Sequence, residues 1–306
     1  MSRFGSIVGH AAECLRRLPV NIHYGRHRTS ARVIAAQAAA IPVRGIAEEK
    51  CTAVNLPQGR QRTGDRRRGR PVTMSDFAYT GCDNLEAMAA AVNYNTFLID
   101  TVGRHLEARS PARVLDFGAG SGTYADMLAA RQIAPECLEP DQDLREILRA
   151  KGYQVLDHDR ETARDDEGYG LIYTFNVLEH IKNDQAASEQ LAALLRPGGT
   201  LVVYVPALEV LFTAMDTKVG HYRRYRRTQL NRILRNAGLE IVESRYCDPL
   251  GFFATLAYKM LGPGDGTINP RSLEFYDRLV FPVSRALQIL TSKFFGKNVL
   301  VVATKA

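Results

Sequence analysis

Arg113 to Met127 reads RVLDFGAGSGTYADM, a short apolar run that closes on an aspartate and breaks into three alternating glycines. Val114, Leu115 and Phe117 suit a buried strand, and the residues from Gly122 onward (Thr123, Ala125, Asp126, Met127, Leu128, Ala129) suit a helix. The loop between them fits a ligand. Gly118 and Gly120 can take positive φ and, having no Cβ, let a bound molecule come close to the backbone. The helix that follows offers unpaired N–H groups to a negative charge. A dinucleotide fingerprint would need its third glycine at position 123, which is Thr123. Asp116, at the mouth of the strand, would repel a pyrophosphate and attract an ammonium or sulfonium group. The expected ligand therefore carries positive charge beside its own carboxylate.

Working outward, Ile133 to Leu138 reads as a second strand that ends in Glu139, 17 residues after Gly122. A later strand, Leu171 to Phe175, runs into Asn176, Val177, Leu178, Glu179, His180 and Ile181. Leu195, Arg196, Pro197, Gly198, Gly199 and Thr200 then lead into LVVYVP. In this order and spacing the four motifs resemble those of class I SAM-dependent methyltransferases. The segment Gly220 to Tyr225 resembles the GHYRRY stretch of one bacterial-type branch of that family, which acts on small molecules.

The resemblance implies a Rossmann-like, doubly wound α/β fold. Its sheet would have seven strands in the order 3-2-1-4-5-7-6, with strand seven antiparallel. S-adenosyl-L-methionine would be the cofactor, held by Asp116, Gly118, Ala119, Gly120, Gly122 and Asn176. Glu139 would grip the ribose hydroxyls, and Asp157 and His158, after a short third strand at Val155 and Leu156, would meet the adenine amino group. Tyr222, Arg223 and Arg224 would bind the acceptor, and His180 and His221 are the candidate bases. In one departure from the family pattern, Tyr169 is followed by Gly170 where an aromatic residue is usually followed by Asp.

At 306 residues, 45% hydrophobic and 24% charged, the chain can bury a sizeable core. Its basic balance is local. Residues 1–73 carry 14 Lys plus Arg against 4 Asp plus Glu, and the remainder carries 26 against 29. The first 73 residues have no long periodic pattern and read as a disordered leader or an upstream extension of the reading frame, with Met74 opening the methyltransferase domain, 74–306. The Arg66, Arg67, Arg68 cluster lacks interleaved aromatic residues, which argues against nucleic acid. Arg richness with few acids leaves mitochondrial targeting open, although Ser is scarce. The five cysteines form no C-x-x-C pair and do not cluster with His, so neither a disulfide framework nor a metal site is indicated, and the expected compartment is the cytoplasm.

Leu85, Met88, Ala89, Val92, Phe97, Leu98, Val102 and Leu106 recur at helical spacing, which places Tyr94 and Asn95 on a helix near the cofactor, with core packing favoured for Tyr94. Strands six and seven, Leu239 to Arg245 and Val299 to Ala303, are separated by a helical insert, about 248–296. In its second helix Tyr276, Leu279, Val283, Leu287, Leu290 and Phe294 share an apolar face, and Pro282 should kink it. That face is expected to pack inside the protein, with peripheral membrane contact as the other use. The expected reaction is methyl transfer to oxygen of a small-molecule or lipid-like acceptor. Two other functions fit the same motifs: a SAM-binding regulatory protein without turnover, and an RNA-binding methyltransferase that uses the basic arm.

Overall fold

The computed structural model describes residues 88–106, 113–156, 168–262, 266 and 269–306, all within the compact unit Asp65–Ala306. The leader, 1–73, and the pair Asp157 and His158 lie outside the described residues.

A helix, α1 (Val92–His105), precedes strand β1 (Val114–Phe117) and the short helix α2 (Thr123–Ala129). Then come β2 (Glu136–Leu138), α3 (Gln142–Ala150) and β3 (Tyr169–Phe175). A 3-10 turn at Leu178–His180 leads to α4 (Asp184–Leu194), β4 (Leu195–Pro206), α5 (Ala214–Lys218), α6 (Arg227–Asn236) and β5 (Leu239–Cys247). Helices α7 (Pro249–Leu261), α8 (Pro270–Phe275) and α9 (Phe281–Thr291) come before β6 (Asn298–Lys305).

The sheet has six strands in the order β2-β1-β3-β4-β6-β5. The first four are parallel, and β6 runs antiparallel to β4 and β5. The expected third strand, at Val155 and Leu156, does not form among the described residues. Val155 makes only an isolated parallel bridge to Cys137, and description stops at Leu156. The second strand is also shorter than expected, because only Glu136 to Leu138 pair with β1. Strand faces alternate, so β3 and β4 feed two apolar cores. Ile172, Leu201 and Val203 pack with Leu191 and Leu234 on one face; Tyr173, Val202 and Tyr204 pack with Phe97 and Leu98 of α1 on the other.

Between β5 and β6 the chain departs from expectation. Tyr276–Val280 forms a π-helical turn between α8 and α9, immediately before Pro282. A proline ring collides with the carbonyl four residues back in a regular helix, and a widened turn removes that collision. The apolar face of α9 does not pack inside. Leu279, Val283, Leu287, Leu290 and Phe294 are exposed, while Asp277, Phe281, Ser284 and Gln288 are buried. The polar side is drawn inward by specific partners. Asp277 accepts hydrogen bonds from the backbone N–H groups of Asn93 and Tyr94, at 2.9 Å each. Ser284 Oγ donates to Asp248 at 2.6 Å, and Gln288 Oε1 accepts from Asp248 N at 3.2 Å.

Candidate active site

All three glycines of the loop have positive φ, 83° at Gly118, 55° at Gly120 and 87° at Gly122. Gly118 is also required by contact, since a Cβ there would run into the Val177 side chain. The loop is tied to the end of β2 because Gly118 N and Ala119 N both donate to Leu138 O, at 2.8 and 3.1 Å. That geometry delivers Gly120 N to Glu139 Oε2 at 2.7 Å, while Glu139 Oε1 accepts from Asp141 N at 3.0 Å. Burial pushes the Glu139 carboxyl above its ordinary range, and the two amide donors oppose it. A carboxylate has about four lone-pair sites, so Glu139 keeps acceptor capacity for a diol.

A cavity of about 1670 Å³ opens at the carboxyl ends of the parallel strands. It is lined by Gly118, Ala119, Gly120, Glu139, Asn176 and, from the later loops, Glu179, His180, His221, Tyr222 and Arg224. Asn176 has φ 56° and donates from Nδ2 to the Tyr94 hydroxyl at 3.2 Å. Tyr94 is both core and wall, edge-on to Tyr204 and Phe281 while lining the cavity. Asn95 is not part of the cavity lining and donates from Nδ2 to the carbonyls of Met88 and Ala89.

Three of the expected ligand residues, Asp116, Gly122 and Arg223, lie outside the cavity lining. Asp116 does not line the cavity; it is buried in β1 beside Tyr173, its cross-strand partner, with Oδ2 lacking a hydrogen bond. Burial lifts its carboxyl to about 7, against the opposing pull of the nearby Tyr173 hydroxyl, so near neutrality it is a poor fixed anion. Arg223 is likewise outside the cavity lining, since its guanidinium pairs with Asp184 at 2.6 Å and donates to Lys182 O at 2.8 Å. Arg224 does reach the cavity, but its charge is committed. Nε and Nη2 bind the two oxygens of Asp216, each at 2.9 Å, in a buried bidentate pair.

His180 and His221 meet edge to face, with centroids 4.6 Å apart. His221 Nδ1 lies 2.7 Å from Asp216 Oδ1, and its Nε2 lies 3.8 Å from Glu179 Oε1. Burial would raise the Asp216 carboxyl, but the bonds from His221 and Arg224 outweigh it and hold Asp216 below the ordinary carboxylate range. Burial, with His221 close by, lowers His180 to about 4. Glu179 is fully buried with neither oxygen hydrogen-bonded, and burial pushes it up to about 8.

Sequence reasoning missed Glu179, Asp216 and Lys297. Lys297 lines the same cavity, joins no ion pair among the described residues, and is lowered by burial. Glu179 and Asp216 carried a faint signal, one beside His180 and the other five residues before His221. The search for metal sites by cysteine spacing also passed over Glu179, His180 and His221, which bring one ligand atom each to within 4.8 Å of one another and could hold a small cation.

A glycine loop, an acid at the next strand end and a large cavity over the switch point describe a nucleoside-bearing ligand. The family model of a methyltransferase domain matches residues 90–244, just over half of the chain. The chain belongs to the SAM-dependent methyltransferases. It is 28% identical over 162 residues to a "Probable S-adenosylmethionine-dependent methyltransferase" of Mycolicibacterium smegmatis, a match covering 50% of this chain and 60% of that protein. It is 24% identical over 168 residues to the ubiquinone biosynthesis O-methyltransferase of Xanthomonas euvesicatoria, covering 48% of this chain and 70% of that one. The fold matches a crystal structure from Thermotoga maritima described as "SAM-dependent methyltransferase, possible histamine N-methyltransferase". That match has a TM-score of 0.50 and 17% identity, over 73% of this chain and 95% of the other. Among its described residues this methyltransferase has no helix long and apolar enough to cross a membrane.

Proposed function

We propose that this methyltransferase, of the GHYRRY-containing branch, moves the methyl group of S-adenosyl-L-methionine to an oxygen of an amphipathic, lipid-like small molecule. The observation that carries the reading is the cavity. At about 1670 Å³ it exceeds the ~300–1,000 Å³ of a single drug-sized site, and its walls include both the glycine loop with Glu139 and apolar or small residues of α7 and α8, among them Ala254, Tyr258 and Leu273. It therefore has room for cofactor and acceptor together. The likeness to a ubiquinone-biosynthesis O-methyltransferase favours oxygen as the accepting atom.

In this reading Gly118, Ala119, Gly120 and Asn176 line the cofactor, Gly122 shapes the loop from outside the cavity lining, Glu139 binds the ribose diol, and Asp157 and His158 complete the adenine end. Asp116 acts from behind the loop. Bound S-adenosyl-L-methionine would supply the methyl group, already activated by its sulfonium, and the residues around the cavity would hold the acceptor oxygen in line with it. The acceptor proton goes to His221 Nε2, because Asp216 holds Nδ1 and can stabilise the resulting imidazolium, as in other carboxylate–histidine pairs. His180, shifted to about 4, is the weaker base and shapes the pocket. Tyr222 lines the acceptor side, and Lys297, more than Arg223 or Arg224, is placed to receive an anionic group. Holding acceptor and methyl in line with water excluded supplies up to ~7–11 kcal/mol. Residues 74–306 form the domain, in the cytoplasm, and 1–73 are dispensable to it.

Transfer of labelled methyl from S-adenosyl-L-methionine into fractionated cell extract tests this. Label in the lipid-soluble fraction is expected. Label in RNA would favour a role for the basic arm, and cofactor binding without transfer to any fraction would favour a regulatory protein.

A further inference from the structure

The second half of the insert is amphipathic in an inverted sense. Its polar side chains are spent inside the molecule, with Asp277 on the start of α1 and Ser284 and Gln288 on Asp248, as described above. What remains outside includes a row of apolar side chains, Phe275, Leu279, Val283, Leu287, Leu290 and Phe294, with Leu290 75% and Phe294 74% exposed. Ile289, 83% exposed, adds to it. Helix α7, which packs on α9, ends in exposed Met260 and Leu261. Elsewhere among the described residues large exposed apolar side chains are scattered singly, as at Val92, Val210 and Val242. A continuous apolar helix face of this kind marks a docking surface.

Charge selects the occupant. Lys259, Arg271, Arg278, Arg285 and Lys293 are all exposed, whereas Glu274 is the one exposed acid among the described residues of α7 to α9, and it is paired with Arg278 at 3.0 Å. Apolar side chains bordered by cations fit the boundary between acyl chains and anionic headgroups, where a helix lies in the plane of the interface. The same helices wall the cavity, through Ala254, Thr255 and Tyr258 of α7 and Ser272 and Leu273 of α8. An acceptor with an apolar tail would then reach the site from the bilayer without crossing water.

We infer that α8 and α9, with the end of α7, seat this methyltransferase on an anionic lipid bilayer surface. The inference deepens the reading of a lipid-like acceptor, but its test measures vesicle binding and so fails or succeeds separately from methyl transfer.

The test is flotation of the full chain with vesicles of phosphatidylcholine alone and of equimolar phosphatidylcholine and phosphatidylglycerol. Binding is expected to the second kind at low salt and to weaken at high salt. Leu279→Asp and Leu290→Asp should each weaken it by about tenfold or more, since each replaces an exposed leucine that the bilayer would cover with a charge that it would exclude. Val242→Asp, on β5, should leave it unchanged, and affinity for S-adenosyl-L-methionine should be the same in all three variants. If the aspartate variants lose stability, Arg271→Glu with Lys293→Glu serves instead and should abolish the preference for phosphatidylglycerol. No binding at low salt, or binding indifferent to these substitutions, would overturn the inference. So would light scattering that shows a dimer dissociated by Leu290→Asp while vesicles remain unbound, because the face would then belong to a second copy of the chain.

Discussion

His221 Nδ1 lies 2.7 Å from Asp216 Oδ1, and Arg224 closes on both oxygens of the same carboxylate. Asp216 is thus kept ionised by two cationic or proton-donating partners, and it orients the imidazole so that Nε2 is the nitrogen left to work. His221→Ala should lower kcat by ~10²–10⁴ with little change in cofactor affinity. Asp216→Asn, which can present an amide N–H to Nδ1 and reverse the tautomer, should also lower kcat while cofactor affinity holds. Because burial keeps the His180 ring neutral above about pH 6, any acid limb of the rate profile between about pH 6 and 9 should persist in His180→Ala. Near-normal turnover by both histidine variants would leave proximity alone to explain the rate.

Glu139 offers the clearest test of the cofactor site. Its two oxygens already order the loop through Gly120 N and Asp141 N, so removing the carboxylate loses the diol contacts and loosens the loop together. Hydrogen bonds to a charged acceptor are each worth ~1.5–3 kcal/mol, and Glu139→Ala should weaken S-adenosyl-L-methionine binding at least about tenfold by calorimetry. The fold should survive, because the residue lies at a strand end.

The parts of this molecule legible in the sequence are those whose signals are local. The strand, three glycines and helix from Val114 to Ala129 form a contiguous run in which every residue's preference agrees with its neighbours. Asp216, Glu179 and Lys297 had at most a faint local signal, because their roles depend on segments far apart in sequence meeting around His221 and the cavity. The insert shows a different limit. Periodicity identified the apolar stripe of α9, but it could not foresee that Asp277, Ser284 and Gln288 have partners waiting at Asn93, Tyr94 and Asp248. Buried hydrogen bonds decided which face turned inward, against the hydrophobic pattern.

Glu179 should make stability depend on pH in a way opposite to an ordinary ion-paired acid. Its carboxyl is near 8 when folded against 4.5 unfolded, so across that interval the native chain holds a proton that the unfolded chain releases. Stability must therefore fall as pH rises from about 4.5 to 8. Asp116, lifted to about 7, acts in the same direction at lower pH, while His180, lowered to about 4, opposes both below about 6.5. Between about pH 7 and 8 Glu179 dominates these three, with a slope of up to ~1.4 kcal/mol per pH unit. Denaturant melts of wild type and Glu179→Gln should show that slope in the first and not in the second.

The proposal that residues 1–73 are dispensable predicts that a chain beginning at Met74 folds and binds S-adenosyl-L-methionine with unchanged affinity. The family match begins only at residue 90. Loss of folding or of cofactor binding in the shorter chain would assign the leader a role in the domain.

Asp277 joins the insert to the cofactor side of the molecule. Its Oδ2 accepts from Asn93 N and its Oδ1 from Tyr94 N, satisfying two N–H groups in the first turn of α1, where Ala91 at the N-cap position provides no side-chain cap. Asn93 Nδ2 in turn donates to Asp277 O at 2.9 Å. Removing a helix cap costs ~0.5–2 kcal/mol, and leaving a buried donor unpaired costs ~1–3 kcal/mol. Asp277→Ala should therefore destabilise the protein by about 2–4 kcal/mol. Asp277→Asn keeps one acceptor and should cost less. Because α1 also carries Tyr94, whose hydroxyl holds Asn176 at the cavity wall, the alanine variant should lose cofactor affinity as well, by less than Glu139→Ala. Chemical denaturation and calorimetry on the same preparations check both effects. A large loss of stability with cofactor affinity untouched would show that α1 is not needed to place Asn176.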